Sequence, residues 1–407
     1  MTDSPGTNDA TTNAAMTNAA TMTAEITTVR VALLTEIIAP YRIPVFNALA
    51  RQKGIDLHVI FLAETDPTQR QWLVYKDEIE FSYEVLPAWR WRWGGWHVLL
   101  NRGLWPALDG FRPNSILCGG YNHPAFWQAL IWAKFHSAHF AAWIESTSQD
   151  RRQPNALADF FKHQFVRNCN SFAVPGKSSS EYLQSMGVSA ERIHTAPNAV
   201  DIRRFANLDR AVKEQAAQRR AELGLPPRYF LYAGRIIAEK GVFQLLEAYA
   251  HLPPELRCAM GLVFVGDGTA RTELTTEAAK VVPGTVVFPG FAQRDQLAAF
   301  YALAEVLVFP TLSDPWGLVV NEAMACGLPI IATDVAGCTA DLVHDGENGF
   351  VIPSADVGRL TEAMAAFARD PQLASRMGER SASRIEAFSP ESCAAGLAIA
   401  AGVPTSF

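Results

Sequence analysis

The sequence predicts an α/β protein made of two doubly wound domains, each a parallel sheet covered by helices, with a cleft between them. Its 407 residues are 49% apolar and 19% charged, enough for two cores at the usual domain size of about 100 to 200 residues. Short apolar runs bounded by Gly and Pro alternate with longer stretches of helical spacing, as expected of strands buried on both faces and joined by crossover helices. The alternation occurs twice, on either side of a charged stretch at 209–222.

Residues 1–28 are rich in Thr, Asn, Ala and Met, with almost no charge and no apolar run resembling a signal-peptide core. They are expected to form a disordered tail. Candidate strands then follow at 31–34, 57–62, 83–86, 116–118, 141–144 and 172–174. Helical faces such as Ile43, Phe46, Leu49 and Phe126, Ala129, Leu130, Ala133 lie between them. This gives a first domain over 29–205. The charged stretch, with Ala211, Ala216 and Leu223 spaced for one polar helix, leads into a second domain over 206–382. Its candidate strands are 229–233, 262–265, 285–288, 306–309, 330–332 and 350–352. The final segment, 383–407, is expected to pack back towards the first domain. Ligands of such sheets bind at the carboxyl ends of the strands, beside helix N-termini.

Two strand ends carry chemistry. The run 229–233 leads into Gly234-Arg235-Ile236-Ile237-Ala238-Glu239-Lys240-Gly241, ahead of a helix with Val242, Leu245, Leu246 and Tyr249 on one face. Two cations there, beside free backbone N–H groups, suit a diphosphate, each charge-assisted hydrogen bond contributing about 1.5 to 3 kcal/mol. The spacing alone fits equally two solvated charges flanking a turn. The run 306–309 leads through Asp314-Pro315-Trp316-Gly317-Leu318 into a helix ending at Gly327, with Glu322 about one turn in. Asp314 and Glu322 bracket that helix start, as carboxylates binding vicinal hydroxyls of a ribose or hexose would, or as a helix cap and a solvated acid.

Taken together, Gly234-Arg235-x4-Lys240-Gly241, Gly266-Asp267-Gly268 after Phe264-Val265, Phe288-Pro289-Gly290, and Asp314-x7-Glu322 with Gly317, Ala323, Cys326-Gly327 and Pro329 occur in the order found in glycosyltransferase family four. The resemblance is dense over 190–360 and thinner before. It implies the GT-B fold, two facing Rossmann-like domains, and transfer of a sugar from a nucleoside-diphosphate sugar with retention of configuration and usually no metal or other cofactor. It implies further that Arg235 and Lys240 bind the diphosphate and stabilise it as leaving group, that Glu322 holds the ribose and that Asp314 holds the transferred sugar. Gly234, Gly266, Asp267, Gly268, Trp316, Gly317 and Leu318 complete the donor side. Two departures stand out. The family commonly has Glu where this chain has Asp314, one methylene shorter. It often has Gly where this chain has Ala199, in Asn198-Ala199-Val200-Asp201, which would strain the backbone if that position needs a positive φ.

In the first domain, Gly119-Gly120-Tyr121-Asn122-His123-Pro124 follows the run 116–118. Family members often place a His near this point, facing the donor sugar. His123 fits that role by position, and a helix-capping or structural histidine equally. Glu145 follows the run 141–144, and Glu36, Tyr41 and Arg42 occupy the first strand-to-helix loop. These are the acceptor-side candidates, and Glu145 fits a solvated loop carboxylate as well. Trp89, Trp91, Trp93 and Trp96 are interleaved with Arg90 and Arg92. That mixture suits a lipid headgroup interface and hence a lipid-linked acceptor, a sugar platform, or core packing.

Composition narrows the partners. A net charge of −6 argues against nucleic acid, which demands a basic face. Six scattered cysteines without metal-ligand spacing fit reduced thiols in the cytosol, and no apolar run is long enough to span a bilayer. The expected enzyme is cytoplasmic, at most at the inner face of the membrane, and works in polysaccharide biosynthesis on a sugar or lipid-linked acceptor. A non-catalytic nucleotide-sugar-binding paralogue and a sugar-nucleotide epimerase are the rival readings.

Overall fold

The computed structural model describes residues 28–66, 72–93, 96–149 and 156–404. Nearly all of the expected tail, at 1–27, lies outside them. The first unit runs β1 (Val29–Thr35), α1 (Ile43–Ala50), β2 (Ile55–Phe61), β3 (Ser82–Val85), β4 (Ala88–Trp93), β5 (Trp96–Asn101), α2 (Leu104–Phe111), β6 (Ser115–Cys118), α3 (Pro124–His136), β7 (His139–Trp143), α4 (Ala156–Asn168), β8 (Ser171–Val174), α5 (Lys177–Ser185) and β9 (Ile193–Thr195). Among the described residues, its seven-stranded sheet has the order β3-β2-β1-β6-β7-β8-β9, every pair parallel.

The second unit runs α6 (Ile202–Lys213), α7 (Ala216–Leu223), β10 (Tyr229–Ala233), α8 (Val242–Ala250), α9 (Pro254–Ala259), β11 (Gly261–Val265), α10 (Arg271–Val281), β12 (Val286–Gly290), α11 (Arg294–Leu303), β13 (Val306–Phe309), α12 (Leu318–Ala325), β14 (Ile330–Thr333), α13 (Thr339–Leu342), β15 (Gly349–Ile352), α14 (Val357–Arg369) and α15 (Pro371–Ile385). Its parallel sheet is ordered β12-β11-β10-β13-β14-β15. Strands such as β10 and β11 are buried at every residue, which is why they read as unbroken apolar runs rather than alternating ones.

The chain crosses from one core to the other at Ala199 and Val200, the first packing with β1 and α1, the second with the β10 side. It crosses back after Ile385, and α16 (Pro390–Ala400) seats Cys393, Ala394, Leu397 and Ala398 against the first core.

The structure divides one expected helix and adds a hairpin and a short strand. The single polar helix over 209–222 is two helices. The Asp201 carboxylate caps the first by accepting the Arg204 N–H at 2.9 Å, so α6 starts seven residues before that stretch, at Ile202. The Trp-rich segment is an antiparallel hairpin, β4 with β5. Strand β9 was too short to show as an apolar run. Ala199 has no positive φ, so the strain considered there is absent. All six cysteines are unpaired, and five are buried.

Candidate functional site

Each sheet reverses its strand order once, between β1 and β6 in the first and between β10 and β13 in the second. Crossovers leave such a point in opposite directions, so the loops at the strand ends splay apart and open a crevice. The sequence motifs sit at these two points.

In the second sheet the ends of β10, β11 and β12 are laced together. The Gly234 N–H donates to Val265 O, the Gly266 N–H to Gly290 O, and the Ile236 N–H to Asp267 O. The approach is so close that a Cβ on Gly266 would lie 1.8 Å from Gly234 O, and one on Gly268 2.3 Å from Ile236 O. Asp267 is exposed and accepts the Gly268 N–H. Arg235 is exposed. Its carbonyl is pinned by the Tyr232 hydroxyl at 2.6 Å, while its guanidinium has no hydrogen-bond or ion-pair partner among the described residues.

Across the reversal, Lys240 Nζ donates to Asp314 Oδ2 at 2.7 Å and to Ser313 O at 2.8 Å. The Leu312 N–H donates to Glu239 O. Side chain and backbone thus join the two motif loops into one site. Asp314 also accepts the Trp316 N–H at 3.1 Å, which holds the shorter carboxylate against its own loop. Gly317, at φ +98° against the Phe309 ring, turns the chain into α12. The Leu318 and Val319 N–H groups at that helix start donate to no group among the described residues, as expected of the first turn of a helix. Trp316 itself is 4% exposed and packs in the core, its indole N–H donating to Asn321 Oδ1. Its side chain supports the loop rather than facing a ligand.

Glu322 Oε2 accepts from the Tyr301 hydroxyl at 2.7 Å. The residue is partly exposed, yet its carboxyl is enclosed, and burial pushes its pKa up to about 7 against the opposing pull of Tyr301 and nearby Arg294. The folded protein therefore holds this proton more tightly than the unfolded chain does. Its contribution to stability is lost as pH rises from the ordinary carboxylate range to about 7. A ribose diol at Glu322, the role the family resemblance implies, would need the ionised form to accept both hydroxyls. Nucleoside affinity is thus expected to strengthen as pH rises through about 7, by up to about tenfold per unit below it. Glu322→Gln should flatten that step. Calorimetric titration of a nucleoside, which lacks a titrating phosphate, reads it directly. A wild-type profile as flat as the variant's would rule the role out.

In the first sheet, Arg42 lies 3.3 Å from Glu145 and over the Trp143 ring at 4.3 Å, tying the β1 loop to the end of β7. Tyr41 meets Trp72 edge-on. His123 is 2% exposed. Its Nδ1 accepts the Leu99 N–H at 3.4 Å, and Nε2 lies 3.3 Å from Asn122 and 3.5 Å from the Glu36 carboxylate. It stands at the N-cap of α3 without making a side-chain capping bond. Glu36 is the more exposed member of the pair.

Sequence reasoning missed the groups that join the two units. Glu78, in the loop before β3, receives Arg294 bidentately at 2.6 and 3.0 Å and Arg204 at 3.2 Å. Arg294 stacks on Tyr75 at 4.0 Å. A second contact between the units is made by the Asp341 carboxylate, which accepts the Lys177 N–H at the start of α5. No motif surrounds Glu78; the only signal for Arg294 was its place at a helix start. A groove of about 870 Å³ beside this bridge, lined by Arg51, Arg203 and Glu391 among others, holds none of the motif residues. Among the described residues no group of three or more His, Cys, Asp or Glu is placed to hold a metal ion. No helix among them is long and apolar enough to cross a membrane.

Comparison with known proteins decides the family. Residues 214–384 match the model for glycosyl transferases group 1, and residues 45–204 the model for glycosyltransferase family 4. The D-inositol 3-phosphate glycosyltransferase of Streptomyces bingchenggensis is 30% identical over 333 residues, covering 78% of this chain and 69% of that one. The chain belongs to glycosyltransferase family four. The transferase is also 29% identical over 297 residues to the alpha-D-kanosaminyltransferase of Streptomyces kanamyceticus, covering 70% of this chain and 75% of that one. Among solved structures, Anabaena HepE in complex with UDP and glucose superposes with a TM-score of 0.68 at 17% identity, over 91% of this chain and 98% of that one. The transferase thus has the GT-B architecture, and its two sheet reversals are the two walls of a GT-B cleft.

Proposed function

We propose that this transferase moves a sugar, with retention of configuration, from a nucleoside-diphosphate sugar to an acceptor hydroxyl on a glycan, glycolipid or small molecule. The observation that carries the reading is the Lys240–Asp314 pair at 2.7 Å, which unites a cationic strand end with an acidic helix start at one topological reversal. Arg235, Lys240 and the unpaired N–H groups of Leu318 and Val319 receive the diphosphate. Glu322 receives the ribose hydroxyls. Asp314 accepts from hydroxyls of the transferred sugar while keeping Lys240 beside the leaving oxygen. That HepE was solved with UDP and glucose supports a nucleotide sugar as donor.

As the glycosidic C–O bond breaks, negative charge builds on the phosphate oxygens, and preorganised cations in a cleft screened from water stabilise it. The acceptor hydroxyl attacks from the face the diphosphate leaves. Its proton passes to a phosphate oxygen, so no protein nucleophile is needed. Glu36, held by His123, and the Arg42–Glu145 pair orient the acceptor side.

The test is a thermal-shift screen against UDP, GDP, ADP and dTDP and their common sugars, with Arg235→Ala alongside. A nucleotide at about 100 times its dissociation constant should stabilise the parent by about 2.7 kcal/mol, and the variant markedly less. Release of the same nucleoside diphosphate from its sugar should fall about a hundredfold or more in the variant. A variant that binds and turns over like the parent overturns the assignment.

A further inference from the structure

We infer that the outer face of α2, α3 and α4, together with the β4–β5 hairpin, is a docking surface for an anionic lipid bilayer. A helix apolar on one side packs on its own domain; one apolar on both sides has a second partner. Helix α3 is of the second kind. Ala125, Phe126, Ala129 and Ala133 are buried in the first core, while Ile131 and Phe135, four apart, lie on its outer side, 47% and 75% exposed, and Trp127, one turn earlier, is partly buried where α3 meets α4.

Neighbouring helices extend that stripe rather than cover it. Trp105 of α2 meets Phe135 with ring centroids 6.2 Å apart. Phe161 of α4 meets Trp127 at 5.9 Å and its neighbour Phe160 at 5.7 Å. Phe160, Phe161 and Leu157, one turn before, are each more than half exposed. On the hairpin, Trp89 is 76% exposed, and Leu100 directly opposite it is exposed too. A connected aromatic surface of this kind on a soluble face marks an interaction site.

Charge identifies the partner. Residues 88–168 carry nine Lys or Arg against four Asp or Glu, while the whole chain carries 35 against 41. The segment is therefore +5 in a chain of −6. Arg102, Lys134 and Arg167, on or beside these elements, are exposed. Indole and phenyl rings seated at the acyl boundary with guanidinium and ammonium groups at the phosphates are the chemistry of an anionic membrane surface. The position is also productive. The Leu99 N–H on β5 holds His123, which faces Glu36, so the docked edge adjoins the acceptor wall of the cleft.

Flotation of the full chain with vesicles of phosphatidylglycerol and phosphatidylcholine in equal parts, and with phosphatidylcholine alone, tests the surface. The anionic vesicles should carry at least about tenfold more protein than the neutral ones, and added salt should narrow the gap. Ile131→Ser/Phe135→Ser/Phe160→Ser, all at exposed positions, should lose at least about tenfold of the binding. Lys134→Glu/Arg167→Glu, which leaves the apolar side chains intact, should abolish the preference for anionic lipid. Protein that floats with neither vesicle, a triple variant that floats like the parent, or a lipid-free dimer that the triple variant dissociates would each overturn the inference. The readout is binding, so it stands whichever donor the cleft takes.

Discussion

Alanine at Lys240 is expected to lower kcat by about three orders of magnitude, near 4 kcal/mol of transition-state stabilisation, with a smaller effect on KM. The asymmetry follows from where the charge sits. In the free protein Lys240 is already neutralised by Asp314 and seated on the Ser313 carbonyl, with only 12% of its side chain exposed. The ground-state donor gains little from it. When the glycosidic bond breaks, the diphosphate becomes the stronger anion, and the ammonium, held without freedom to wander, interacts with it at no further cost of reorganisation. Removal also leaves the Asp314 carboxylate with the Trp316 N–H as its hydrogen-bond partner among the described residues. Lys280→Ala, an exposed lysine beside Glu277 on α10, serves as the control and should behave as the parent. A Lys240→Ala enzyme within about threefold of the parent in kcat would remove Lys240 from the chemistry.

Gly266→Ala is expected to destabilise the second unit by about 4 kcal/mol or more. Two effects add. At φ +142° an L residue is strained, and its Cβ would sit 1.8 Å from the Gly234 carbonyl oxygen. The obstacle is backbone, pinned by the Gly234 N–H bond to Val265, so no side chain can swing away. Gly284→Ala separates the two effects. It lies at φ +77° with no heavy atom within 4 Å of a Cβ, and should cost only about 1 to 2 kcal/mol from the conformation alone. Paired urea unfolding curves measure the difference. Equal losses at the two positions would mean that the strand ends do not approach as closely as described.

The Glu78 bridge extends the logic of the site. Arg294 draws the pKa of Glu322 down against the effect of burial, and the same guanidinium is held bidentately by Glu78 from the other unit. The carboxylate assigned to the ribose and the contact between the two walls therefore share one charge.

How much of this was written in the sequence follows from what sequence periodicity encodes. All six strands read in the second unit exist, because a strand buried on both faces leaves an unbroken apolar run whatever surrounds it. The order of the glycine and charged motifs sufficed to read the family, because backbone turns need glycine locally. The hairpin was also legible, since Trp89, Trp91 and Trp93 alternate with arginines at period two. Other properties depend on groups that only the crossovers bring together. Lys240 meets Asp314 across 74 residues, Tyr301 meets Glu322 across 21, and Arg294 meets Glu78 across 216. His123 was legible as a residue at a strand end, but its burial against Leu99 was not. Local backbone geometry fixes the period of a pattern, so the sequence by itself determined which elements form and which residues stand at their ends. Pair electrostatics and burial depend on distances through space, so only the tertiary structure decided which charges are neutralised, which proton is held near neutrality and which aromatic faces are left for a partner.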